Sequence, residues 1–134
     1  MILIDSSVWI DYFRGHPTPE ADRFDTLLAS PEALIGVPDL VLTEVLQGVD
    51  SDAEYETVRR LMLEFPVLAL GGAAAALDSA SAYRTLRRRG RTVRKTIDSL
   101  IATYCIRNDH ELLYSDRDFD PFVKHLGLRS AMTA

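Results

Sequence analysis

Short apolar runs alternate along this sequence with longer stretches in which apolar residues return every three or four positions. The runs Ile2-Leu3-Ile4, Ala33 to Val37, Val67 to Leu70 and Glu111 to Ser115 have strand length and few polar members. That is the pattern of strands buried on both faces of a parallel sheet. Leu128 to Ser130 reads as a last edge strand. Between the runs, helical spacing predicts a helix behind Asp5 through Phe13, stopped by Arg14-Gly15-His16-Pro17, and another over Pro19 to Ala29. Pro38-Asp39 opens a third, carried by Leu40, Val41, Val45 and Leu46 to a stop at Gly48. Ser51 to Glu64, with Tyr55, Val58, Leu61 and Met62 on one face, ends at Pro66; an alanine-rich helix from Ala73 to Arg89 ends at Gly90. Val93 to Asn108 and the short Phe119 to His125 complete the set. Strands alternating with helices and joined by right-handed crossovers predict an α/β fold, a three-layer α/β/α sandwich around a short central parallel sheet. At 134 residues the expectation is a single domain spanning 1–134.

Composition narrows the function classes. Apolar residues make up 47% of the chain and charged ones 26%, as in a globular protein. A net charge of -5 argues against a surface built entirely for nucleic acid, and it leaves room for a local basic patch. The single cysteine, Cys105, excludes an intrachain disulfide and a cysteine-based zinc site. No apolar run approaches membrane length and no basic leader precedes one, so no membrane partner and a cytoplasmic location are expected. No glycine-rich phosphate loop is present, and His16, His110 and His125 lack ligand spacing.

The acids are more informative. Asp5 ends the first strand, where ligands of α/β sheets bind, although an acid there also serves as a helix cap. Asp116 repeats that arrangement at the end of the fourth strand. Glu44 falls on the apolar side of its helix, among Leu40, Val41 and Gly48, either paired or bound to a cation. Asp98 sits in the first turns of its helix, among Ile97, Ile101 and Ala102; the helix dipole favours an acid there, and its apolar surroundings demand a partner. Asp118 serves either this group or as N-cap of the Phe119 helix, while Asp120-Pro121 reads as a turn.

Clustered carboxylates repel one another unless a cation neutralises them, and an all-oxygen site suits Mg²⁺ or Mn²⁺. The accompanying chemistry is hydrolysis of a phosphate ester by activated water. The stretch Arg84 to Lys95 carries no acid and leads directly to Asp98. Its Arg87, Arg88, Arg91 and Arg94 are candidates to grip the phosphates of RNA, or else they are solvated cations near a helix end.

Four segments together resemble the PIN-domain ribonucleases, and among them the VapC-type toxins of toxin–antitoxin pairs. They are Ile4-Asp5-Ser6-Ser7-Val8-Trp9-Ile10, Leu42-Thr43-Glu44-Val45-Leu46-Gln47-Gly48, Val93 to Ala102 and Ser115-Asp116-Arg117-Asp118-Phe119-Asp120. The resemblance implies catalysis by Asp5, Glu44, Asp98 and Asp116, with Asp5, Asp98 and Asp116 on the metal and Ser7 and Asp118 in support. It also implies Mg²⁺ or Mn²⁺ as cofactor, an RNA substrate, a homodimer and inhibition by a cognate antitoxin protein. Ser6 stands where the family often has Thr. Two other classes remain open: a non-catalytic PIN-fold binding module presenting Trp9, Tyr12 and Phe13, and a small phosphatase using Asp5 as nucleophile.

Overall fold

The first apolar run forms β1 (Ile2–Ile4), and the chain returns to it from both sides. In the computed structural model, which describes residues 1–132, β1 is followed by α1 (Ser6–Arg14), α2 (Pro19–Leu28) and β2 (Ile35–Pro38). Next come α3 (Asp39–Gln47), α4 (Asp52–Met62), β3 (Val67–Leu68), α5 (Ala73–Arg88) and α6 (Thr96–Arg107). The described chain closes with β4 (Glu111–Leu113), a 3-10 turn at Arg117–Phe119, α7 (Asp120–Leu126) and β5 (Arg129–Ser130). The sheet order is β3-β2-β1-β4-β5, and every pairing is parallel.

This order explains the layers. Steps from β1 to β2 and β3 run one way across the sheet, and the steps to β4 and β5 run the other way. Right-handed crossovers therefore place α1–α4 on one face and α5–α7 on the opposite face. The helix contacts agree: α1 packs on α2 and α3, α3 on α4, and α5 on α6 and α7. The direction reverses between β1 and β4, and the carboxyl ends of those two strands frame a crevice there. Registers Ile2↔Glu111 and Ile4↔Leu113 align the two ends, and the Asp5 N–H donates to the Leu113 carbonyl at 2.9 Å.

Leu3, Ile4, Val37, Leu112 and Leu113 form the sheet's buried centre. Trp9 is fully buried, stacked on Phe13 and edge-on to Phe24, so the aromatic group of α1 is core packing. Gly36 in β2 has a packing reason: an added Cβ would lie 3.0 Å from atoms of Leu3, Leu68 and Met1.

Three of the boundaries that differ from expectation have a visible cause. α6 begins at Thr96, because Lys95 is extended (φ -119, ψ 126) and Val93 is buried from a non-helical segment. β4 ends at Leu113, and the Ser115 N–H turns to a side chain, Ser7 Oγ. β3 stops at Leu68, and the Leu70 N–H donates to Asp39 Oδ1.

Candidate active site

The end of β1 delivers Asp5 into the crevice as the N-cap of α1. Its Oδ2 accepts from the Ser7 N–H at 3.2 Å and from Ser7 Oγ at 2.6 Å, and the residue is 3% exposed. Ser7 Oγ in turn accepts from the Ser115 N–H at 3.3 Å. One hydroxyl thus ties the end of β1 to the segment leaving β4.

Asp116 leaves that segment and caps the 3-10 turn, its Oδ1 accepting from the Asp118 N–H at 3.0 Å. Asp118 does not cap the following helix: α7 starts at Asp120 with Phe119 in the cap position. Asp118 is left to face the other acids. Asp120 points elsewhere, accepting from Tyr114 Oη at 2.8 Å.

Asp98 enters from the first turn of α6. It is 3% exposed, and its Oδ2 is buried with no hydrogen-bond partner. A carboxylate oxygen left unpaired in the interior is costly, so its presence points to a missing positive partner. One oxygen each from Asp98, Asp116 and Asp118 lie within 4.8 Å of one another. Asp5 stands beside this triad, and the charge on Asp5 is felt at Asp98. Glu44, from α3, is half-buried and accepts from Ser6 Oγ at 3.3 Å. Ser6 therefore has a partner in the site that its small size alone did not reveal.

The electrostatics are those of an unneutralised cluster. Burial, and then the charge on Asp5, push the Asp98 carboxyl up to about 7. Burial raises the Asp5 carboxyl above the usual range against the opposing Ser7 bonds. Glu44 is raised first by burial and next by Asp5. Cys105 lies close enough to feel Asp5, and burial pushes its thiol up to about 12, which makes it an inert core residue.

A cation missed in the sequence also belongs here. Lys95 Nζ lies 3.3 Å from Asp116 Oδ2. The signal was its place three residues before Asp98, which a helix starting at Val93 obscured. Arg87, Arg88, Arg91 and Arg94 are all exposed. Arg87 joins Arg84 and Tyr83 along a cavity of about 560 Å³ between α5 and α6. Arg88 reaches back to Thr85, and the charges of Arg89 and Arg91 act on His125 at the end of α7.

Buried and partly buried carboxylates with oxygen-only donors, at the reversal point of a parallel sheet, suit a hard divalent cation. Residues 2–123 match the PIN domain family. The chain is 35% identical over 131 residues to ribonuclease VapC11 of Mycobacterium tuberculosis and to VapC ribonuclease Mb1587 of Mycobacterium bovis, covering 98% of each chain. Among solved structures, its fold is similar to VapBC2 of Rickettsia felis bound to a promoter DNA fragment (TM-score 0.75, 16% identity, 97% of both chains). It is similar also to VapBC-1 of nontypeable Haemophilus influenzae (TM-score 0.73, 18% identity, all of both chains).

Proposed function

The chain belongs to the PIN domain family, and from that membership we propose that it is a Mg²⁺- or Mn²⁺-dependent endoribonuclease acting as the toxin of a toxin–antitoxin pair. One observation carries the metal reading: the unpaired, buried Asp98 Oδ2 in a triad of acid oxygens that lie within 4.8 Å of one another. Asp98, Asp116 and Asp118 would hold the ion, with Asp5 completing the negative field. When bound, the cation supplies positive charge at a phosphodiester and lowers the pKa of nearby water.

The chain's own residues do the rest. Ser7 fixes the Asp5 carboxylate in one orientation through two hydrogen bonds. Ser6 engages Oε1 of Glu44, leaving Oε2 to orient the attacking water and take its proton. The raised pKa of Glu44 makes it a better base than an ordinary surface carboxylate. Arg87, Arg88, Arg91 and Arg94 are assigned to RNA phosphates lying outside the crevice. The reading includes one PIN domain over 1–134, a cytoplasmic setting, a homodimer and a cognate antitoxin as partner. Apolar Leu63, Val67 and Leu77 are exposed and supply surface for such contacts. No helix among the described residues is long and apolar enough to cross a membrane. A phosphatase route with Asp5 as nucleophile is disfavoured, because Oδ2 is already held by Ser7 and burial works against the anion.

The test is cleavage of single-stranded RNA by the purified chain with Mg²⁺ or Mn²⁺, with chelator, and in Asp5→Asn. Asn keeps the helix cap, so the variant should retain its circular dichroism and lose cleavage. Normal cleavage by Asp5→Asn, or cleavage indifferent to chelator, sinks the assignment.

A further inference from the structure

Lys95 stands immediately before α6 in extended conformation, so its side chain leaves the helix axis and reaches across to the segment after β4. Its ammonium meets Asp116 Oδ2 at 3.3 Å. The other oxygen of Asp116 takes the Asp118 N–H at 3.0 Å. Both oxygens of Asp116 are therefore engaged, and Oδ2 is engaged by a positive charge. Asp116 is also a member of the triad with Asp98 and Asp118, and Asp98 keeps a buried oxygen without partner.

We propose that Lys95 is a built-in counter-ion of the carboxylate cluster, displaced by the divalent cation and then free to bind the RNA phosphate at the cleavage site. The inference rests on the nuclease reading and assigns a residue that reading lacked.

Exposure decides whether displacement is feasible. The Lys95 side chain is 57% exposed and that of Asp116 26%, so the pair sits at the mouth of the crevice. An exposed pair of this kind is weak, too weak to hold a carboxylate against a divalent ion that gains several oxygens at once. Once released, the ammonium stays tethered by its flexible four-carbon stem beside the site. The neighbouring cations are placed differently: Arg87 lines the cavity between α5 and α6, and Arg91 acts on His125. Lys95 is the cation of this segment that the geometry puts against the acids.

The consequence is a pair of effects with opposite sign. Removing the Lys95 charge removes a competitor of the metal and strengthens metal binding, while it removes a contact to RNA and weakens substrate binding. Loss of packing or order would weaken both.

The experiment uses the full chain stripped of metal, as wild type, Lys95→Met, Lys95→Gln and Lys95→Arg. Mn²⁺ affinity is read by calorimetry without RNA, and KM and kcat for RNA cleavage are read at saturating Mn²⁺. The Met and Gln variants should bind Mn²⁺ about two- to five-fold tighter, as expected for removal of one exposed competing charge. Their KM should rise by about ten-fold, the cost of one phosphate contact, with a smaller change in kcat. Lys95→Arg should stay near wild type in both. Equal or weaker Mn²⁺ binding by the Met and Gln variants overturns the inference and leaves the nuclease reading standing. Tighter Mn²⁺ binding with unchanged KM overturns the substrate contact. A wild type that binds no Mn²⁺ overturns the nuclease reading and the inference with it.

Discussion

Replacing Asp98 by Asn should make the metal-free protein more stable, and only above a certain pH. The Asp98 carboxyl rises from 3.8 to about 7 on folding, chiefly through burial and then through the Asp5 charge. At about 1.4 kcal/mol per pKa unit, ionising it inside the fold costs at most about 4 kcal/mol. Water reaching the crevice and proton sharing among the neighbouring acids lower this to about 2 kcal/mol. Between pH 3.8 and about 7 the folded chain holds a proton that the unfolded chain has released. Stability therefore falls as pH rises through that window and levels off above it. Asn has no proton to lose, so its advantage grows across the same window. In chelator at pH 8, Asp98→Asn should melt about 8 °C above wild type, at roughly 4 °C per kcal/mol for a domain of this size. At pH 5 the gap should shrink by more than half. Added Mn²⁺ should raise the melting temperature of the wild type and leave the variant unmoved. Scanning fluorimetry from pH 5 to 8.5, with chelator and with Mn²⁺, reads all three. A variant that melts at or below wild type at pH 8, or a gap that does not change with pH, refutes the reasoning.

Two further outcomes test the scaffold. Trp9→Ala removes a fully buried ring that packs on Phe13, Phe24 and Phe65, and should cost about 3–5 kcal/mol in denaturant unfolding; a loss below about 1 kcal/mol would mean the ring is not core. Gly36→Ala places a methyl 3.0 Å from Leu3, Leu68 and Met1 in the middle of the sheet and should cost about 1–3 kcal/mol, measured the same way; a neutral result would mean those side chains simply move aside.

Asp5, Glu44, Asp98 and Asp116 were legible in the sequence because each breaks a local rule. An acid closes an apolar run, or an acid lies on an apolar helix face, and such breaks mark places where burial needs a use. Asp118 was harder to read, since an acid before a short helix is also the ordinary N-cap. The 3-10 turn capped by Asp116 takes that role away from it. Lys95 was hidden by Val93 and Ile97, whose four-residue spacing extends the helical pattern backwards through a segment that the backbone leaves extended. Periodicity reports which side chains are buried, and Val93 is buried without being helical. The α/β alternation itself was plain, because buried parallel strands are nearly all apolar.

The central position of β1 has a consequence for when the acidic centre comes together. β1 is flanked on one side by a strand some thirty residues downstream and on the other by β4, more than a hundred residues downstream. Asp5 is translated long before Asp98 and Asp116, and it faces them only after β4 has slotted in beside β1. Until that long-range closure is made, a growing or cleaved chain holds its acids far apart in scattered pieces. The assembled centre is a property of the completed fold, and no partial chain that lacks β4 can present it.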